Sequence, residues 1–509
     1  MRRPVVVSVA LLLLACSSET RPEGAPAPSL AVAGAIPTST PPPASPTPAP
    51  TITASRPADG TRASIFLVDW PNGAASAVGG ALRPIDPSTG QDIAGYAPHD
   101  PMQAASIASL SPDGGHLVLT IAVSGSAPGS KLVTVDLGSW TMREHLRSST
   151  YPSGFAWSKD SRAVYFRDGP QGAALSRLDV AAGIVTTVAK ANFWAASPLY
   201  LSADERAIYL LGHASSDARA NIQQGDPLLA RLDIASGLFA SVPLRGLAAG
   251  QVRPETPGRE AGYYLPALAL APDGASAYIV DGATDRILTV DLSSMAVRDD
   301  RSLAKARPAW KRGLGWLGGQ FVSTAHAKGA EYYTAAAAVT PDGRYLVAAA
   351  TRDEWCGEPA RPCASSKPAG LRVVELSSMR VVLRDESVGA FALSPDGRWV
   401  IGYASWYEEP ADGALVQYRG SGLQVFDLRE VRKAASLEPG AAVEAVVFDA
   451  VGGHAVALEV GPGLAADYNE GCPKPCYGLK AVELGASTRP PRVVAERSLD
   501  TRAVQLLPE

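Results

Sequence analysis

The chain has 509 residues, 46% of them hydrophobic and 19% charged, with a formal net charge of −4. A mean hydropathy of +0.03 leaves enough apolar residues for a sizeable buried core. Lys and Arg are scattered rather than blocked, so the dense basic face that binds phosphate backbones is missing and nucleic acid is excluded as the main partner.

The N-terminus reads MRRPVVVSVALLLLACSS, with Arg2 and Arg3 ahead of an apolar run from Val5 to Ala15 broken only by Ser8. This is a secretory signal layout, and the run is shorter than the roughly 20 residues a membrane-spanning helix needs. Leu13, Leu14, Ala15 and Cys16 resemble the lipobox of bacterial lipoproteins. The resemblance implies cleavage before Cys16, a diacylglyceryl thioether on its sulfur and usually an acylated new amine. It thus implies a membrane partner held through lipid, and two or three acyl chains satisfy stable anchoring. Ser17 follows instead of Asp, so in a diderm cell the resemblance favours the outer membrane, and otherwise the outer face of the cell membrane.

Residues 22–50 contain ten prolines among Ala, Ser and Thr. Such a segment cannot bury enough apolar surface to fold and is expected to be extended. Residues 16–62 therefore read as a lipidated, disordered tether after a signal peptide at 1–15. At ~3.1 Å per residue the stretch from 17 to 60 reaches on the order of 130 Å.

From residue 63 to 509 one pattern repeats. An apolar strand, a Ser/Ala/Thr-Pro-Asp-Gly turn and a second apolar strand are followed by a variable segment. A third strand ends in Asp or Glu, and a short polar turn leads to a fourth. The clearest turns are SPDG at 111–114, APDG at 271–274, TPDG at 340–343 and SPDG at 394–397; degenerate copies lie at 158–161, 202–205 and 449–452. Pro suits the second position of a type I turn, Ser or Asp the first, and Gly the fourth, where positive φ is needed. Short apolar runs between such turns predict antiparallel strands, and helical period is nearly absent.

Four strands per roughly 45–70 residues is the pattern of a β-propeller blade. Residues 63–98 read as strands two to four of a blade that lacks its first, and TRAVQLLPE at the C-terminus reads as that first strand. Pairing them closes a ring of eight blades and removes the exposed sheet edges; seven blades, with one repeat misread, is the alternative. The repeats, AYIVDGATDRILTVDLSSM at 277–295 above all, resemble the YVTN/WD40-like and TolB-like propeller repeats. The expectation is an all-β propeller, and the resemblance bears on fold rather than activity.

In such a fold the turns after strands one and three share one face, and the connections after strands two and four share the other. Here the first face has short turns. The insertions at 213–227, 246–264, 304–333, 351–370, 404–422 and 460–478 all fall on the second, where binding is expected. Three consecutive blades present carboxylates beside aromatics there: Asp353, Glu354 and Trp355; Trp406, Tyr407, Glu408 and Glu409; Asp467, Tyr468 and Glu470. These residues can grip a cationic group, a sugar or a partner loop, or simply shield the blade tops. No regular Asp-x-Asp loop points to Ca²⁺.

Cys356 and Cys363 share one insertion and Cys472 and Cys476 another. In an oxidising compartment two local disulfides are the simplest account. A four-Cys zinc site would have to join loops a blade apart, and a strained redox pair at Cys472 and Cys476 is a further reading. No Gly-x-Ser-x-Gly elbow, His-Glu-x-x-His or phosphate loop is present, and no cofactor motif. The six histidines, at 99, 116, 145, 213, 326 and 454, are dispersed; only His213 and His326 read as lying in long loops. The preferred expectation is a lipid-anchored, non-catalytic envelope propeller that binds a protein or glycan. The alternative is an extracytoplasmic hydrolase or lactonase-like enzyme with a site at the central pore.

Overall fold

The computed structural model describes residues between 52 and 507, apart from 54–64, 72–79, 95, 97–98, 103–104, 124–128, 169–173, 191–192, 196–197, 215–222, 224, 253–261, 304–330, 359–360, 409–416, 450, 461–476, 486–488 and 500; for some strand residues, among them 69–71, 99–102, 105–107, 354–366, 407–408, 417 and 501–507, only the backbone is described. The signal, Cys16 and most of the expected tether lie outside the described residues. Residues 49–509 form one compact unit.

All regular structure among the described residues is β. Eight sheets of four strands or more follow one another along the chain. Sheet 1 pairs Thr501–Leu507 with Ile65–Pro71, then Gly80–Ile85 and His99–Met102, so the last strand of the chain becomes the first of this sheet. Sheet 2 runs Ala105–Leu110, His116–Val123, Gly129–Asp136, Thr141–Ser148; sheet 3 runs Ser153–Trp157, Ala163–Asp168, Ala174–Asp179, Ile184–Lys190. Sheet 4 has a split first strand, Phe193–Ala195 and Tyr200–Leu201, then Ala207–Ala214, Leu228–Asp233 and Phe239–Pro243. Sheet 5 spans Ala267–Leu270 to Ala296–Ser302, sheet 6 Glu331–Val339 to Arg380–Asp385, sheet 7 Ala390–Leu393 to Arg432–Leu437, and sheet 8 Ala442–Phe448 to Arg492–Leu499. Ile52–Thr53, inside the expected tether, adds to the outer strand of sheet 2 opposite Met142 and Thr141.

The second strands are continuous apolar runs because each sheet is packed on both faces. In Ile65–Val68 the side chains alternate between two cores: Phe66 and Val68 join Leu119 and Trp140 of sheet 2, while Ile65 and Leu67 join Val456 and Leu458 of sheet 8. The same sharing links Leu132 with Phe166, Tyr165 with Leu210, Leu211 with Ile279, and Tyr278 with Leu346. It continues with Val347 and Phe426, then Ile401 and Ala457. Each fully buried side chain of this kind contributes about 1.5–3 kcal/mol. Four-stranded meanders stacked face to face through shared cores are a β-propeller architecture. The fourth strands, packed at the rim, alternate instead; Arg492–Leu499 is exposed at every second residue.

All seven Pro-Asp-Gly-type turns join strands one and two. Ser111 Oγ donates to Asp113 Oδ1 at 2.6 Å and accepts from the His116 N–H at 2.8 Å; Ser158, Ser202, Thr340 and Ser394 repeat this arrangement. The hydroxyl hydrogen bonds hold Asp160, Asp204 and Asp342 below the usual carboxylate range. The fourth turn residue has positive φ in every copy, including Ser161 and Glu205. In sheets 3 to 8 that residue also meets the preceding turn. A Cβ on Gly397 would lie 2.6 Å from Pro341 Cδ. Where the fourth residue is not glycine its side chain makes the link instead: Ser161 Oγ accepts from the Asp113 N–H at 3.1 Å, and Glu205 from the Lys159 N–H. The turns are thus fastened to one another as a belt.

Buried ions reinforce the packing of sheets 5 to 8. Arg372, Gln424 and Lys480 each stand three residues before the acid that ends a third strand, and all three are buried. Arg372 meets Asp285 of sheet 5 at 3.4 Å and Glu386 at 3.0 Å. Lys480 meets Glu459 at 2.9 Å and Glu438, in the connection from sheet 7, at 3.1 Å.

Candidate functional site

The end of the sheets away from the turn belt is built differently. In sheet 6 the second and third strands continue past the blade as a hairpin, Tyr345–Glu358 against Arg361–Glu375. The segment 351–370, expected to be a loop, is therefore β-structure, and its polar composition reflects a sheet extension with little apolar cover to require. In sheet 7 a separate hairpin pairs Ser405–Glu408 with Gln417–Gly420. The two hairpins run side by side. Their bases come close at Gly389, where an added Cβ would lie 2.7 Å from Thr351 Cγ2.

Asp353 and Trp406 are the two expected site residues whose side chains are described, one on each hairpin, and both are part-buried. Asp353 stands opposite Tyr332 and Ser366, and its Oδ1 is buried with no hydrogen-bond partner among the described residues. Trp406 stands opposite Arg419. Glu354 and Trp355 continue the first hairpin, and Tyr407 and Glu408 the second, as backbone positions. Glu409, Asp467, Tyr468, Glu470, Cys472 and Cys476 lie outside the described residues. Cys356 and Cys363 are directly opposed in the first hairpin's register.

Two features at this end escaped the sequence reading. The first is an aromatic ladder. Gly250–Val252 and Gly262–Leu265 add to sheet 6, the latter parallel to Glu331–Val339. Parallel register sets Tyr263 beside Tyr332 (ring centroids 5.7 Å apart) and Tyr264 beside Tyr333 (5.6 Å, interplanar angle 6°), with the Arg352 guanidinium 5.7 Å above Tyr333. The pattern GYYL and EYYT was the available signal. The second is a set of β-bulges in the first strands, one of which carries Glu444. His213, expected in a long loop, is instead in the strand Ala207–Ala214 opposite Trp194 and fully buried, because the strand runs further than its apolar core suggests.

No protein-family model matches the chain, and no curated protein matches it. Solved structures with some likeness to it include the hydrazine synthase of Kuenenia stuttgartiensis, at 13% identity over 72% of this chain and 96% of that one, with a TM-score of 0.40. A periplasmic gluconolactonase of Pseudomonas aeruginosa is 15% identical over 74% of this chain and 96% of its own, with a TM-score of 0.41. The dihydro-heme d1 dehydrogenase NirN is 13% identical over 89% of this chain and 80% of its own, at 0.46. The propeller assignment rests on the repeated meanders and their shared cores, and no activity carries over from these proteins.

Proposed function

We propose that this chain is a closed, eight-bladed propeller, lipid-anchored through Cys16 in the bacterial cell envelope, that binds a protein or glycan partner at its long-insertion end. Support for eight blades comes from the count of four-stranded sheets among the described residues, and for closure from the Thr501–Leu507 pairing and the core that sheet 8 shares with sheet 1. The observation that carries the binding role is the asymmetry of the two ends. One end is a belt of tight, mutually fastened turns; the other projects two adjacent hairpins and a tyrosine ladder with a guanidinium and a carboxylate beside it. Aromatic side chains and Arg are the types that dominate interface energetics.

A disulfide between Cys356 and Cys363 stiffens the first hairpin in this reading. Directly opposed strand residues have Cα atoms about 4.5–5.5 Å apart, inside the window a disulfide requires. Cys472 and Cys476 form the second bridge. Replacing Trp355, Trp406 and Tyr468 together by alanine tests the role: the partner disappears from crosslinked envelopes while thermal unfolding stays unchanged. Retention of the partner by that folded triple variant sinks the proposal.

A further inference from the structure

The fourth strand of each sheet is its outer edge, a row of open backbone groups of the kind that folded proteins blunt with bulges and charged side chains. Seven of the eight outer strands carry both devices. Each shifts register against its third strand, and each holds charge, from Asp100 alone in sheet 1 and Lys190 alone in sheet 3 to Arg298, Asp299, Asp300 and Arg301 in sheet 5. Sheet 2 is further covered by Ile52–Thr53, so this rim accepts an added strand. Sheet 4 has neither device. Phe239–Pro243 pairs with Leu228–Asp233 without a shift, and its sequence FASVP contains no charge.

The ladder fixes which groups of this strand look outward. The Asp233 N–H donates to the Leu238 carbonyl at 2.9 Å, and the Leu244 N–H to the Pro227 carbonyl at 2.7 Å. Alternation between those two points turns the backbone groups of Ala240 and Val242 towards the third strand and those of Phe239, Ser241 and Pro243 away from it. The outward N–H and C=O of Phe239 and Ser241 have no hydrogen-bond partner among the described residues. Pro243 offers no N–H and ends the open row. Side chains along the edge are bare: Leu238 is 70% and Phe239 40% exposed, and Ala240, Ser241 and Pro243 are exposed too. Opposite charges mark its two ends. Asp233 is held in its turn by the Ser236 hydroxyl at 2.7 Å, and Arg245 is exposed with no ion-pair partner among the described residues.

We propose that the outer edge of sheet 4 pairs with the same edge of a second copy of this chain, antiparallel about a two-fold axis through Ala240, so that one sheet runs on into the other. The edge is complementary to itself under that axis, as a two-fold interface requires. Phe239 and Ser241 of each copy exchange hydrogen bonds with Ser241 and Phe239 of the other, which pairs every open group of both residues. Ala240, the smallest side chain of the strand, meets its own copy at the closest approach of the ladder, about 4.5 Å between Cα atoms. Arg245 of each copy comes to the Asp233 turn of the other, whereas a parallel neighbour would set like ends together. So short an edge makes a reversible pair, of the weak class that buries less than about 1,200 Å².

The test uses the full-length protein. Amide hydrogen exchange of residues 238–243 should slow as protein concentration rises, while sedimentation velocity shifts reversibly towards the dimer over the same range. Oxidation of Ala240→Cys should trap a dimer linked between the two positions 240, identified by mass spectrometry. Ala296→Cys, exposed on the charged and bulged edge of sheet 5, should stay monomeric. Ser241→Pro removes only an outward N–H and should weaken the dimer about tenfold or more through a symmetric pair of lost hydrogen bonds. If that variant does not fold, Ser241→Lys, which charges the edge, should weaken it as well. Arg245→Glu should weaken it several-fold. Protection of 238–243 at every concentration would give the edge to a segment of the same chain, and protection only on adding envelope extract would give it to another protein; either overturns the dimer. So would no protection at all, no trapping at 240, equal trapping at 240 and 296, or undiminished association in the Ser241 or Arg245 variants. The rim of sheet 4 is separate from the hairpins of sheets 6 and 7, so failure here leaves the partner-binding reading intact.

Discussion

Substituting Gly397 by alanine isolates what fastens the turn belt. Gly397 has φ of +70°, and a Cβ there lies 2.6 Å from Cδ of Pro341 in the preceding turn. The backbone conformation alone costs an L-residue about 1–2 kcal/mol. The proline ring, fixed in its own turn, cannot swing away, and overpacking of this kind adds about 1–3 kcal/mol. Gly114 provides the control, since it occupies the same turn position at φ of +63° with nothing within 4 Å of its Cβ. Gly114→Ala should therefore show the conformational cost alone, and Gly397→Ala about 1–3 kcal/mol more. Urea unfolding followed by tryptophan fluorescence reads both, with Trp399 reporting two residues after the altered turn. Midpoints that coincide, or a lower midpoint for Gly114→Ala, would refute the idea that the Gly397 turn packs on its predecessor.

Other consequences follow from single groups. Burial, with Arg143 nearby, depresses the pKa of His145 from 6.5 to about 4. The unfolded chain takes up that proton first, so stability present at neutral pH is lost as pH falls from about 6.5 towards 4, by at most roughly 3 kcal/mol. Unfolding midpoints of His145→Leu should lose this part of the pH dependence. Lys480→Met leaves Glu459 and Glu438 without their buried cation and should cost about 3–5 kcal/mol, read by the same urea titration. Cys16→Ala should move the protein from the membrane to the soluble fraction; unchanged membrane retention contradicts the lipobox.

The repeat was legible because its signals are local. Apolar runs punctuated by Ser-Pro-Asp-Gly set each hairpin within fifteen residues, and even the joining of residues 501–507 to 65–71 followed from counting strands. What the turns do to one another was not legible, because the Gly397 contact with Pro341 spans a blade. The hairpin at 351–358 carries Arg352, Asp353 and Glu354, and so many charges in succession read as a loop, whereas a sheet extension can satisfy its backbone by pairing alone. Glu444 left a faint trace as a lone charge in AVEAVVF, but the bulge that exposes it depends on the partner strand. Tyr263 and Tyr332 are far apart in sequence, and only the parallel pairing of Gly262–Leu265, from the connection after sheet 4, with the first strand of sheet 6 makes them neighbours.

The binding role is tested most directly by placing a photo-crosslinking residue at Trp406 on the hairpin end and, separately, at the exposed Asp160 on the turn belt, in living envelopes. The account predicts a discrete protein or glycan adduct from position 406, identified by mass spectrometry, that position 160 does not give. Equal adducts from both positions, an adduct from 160 alone, or none from 406 would contradict it.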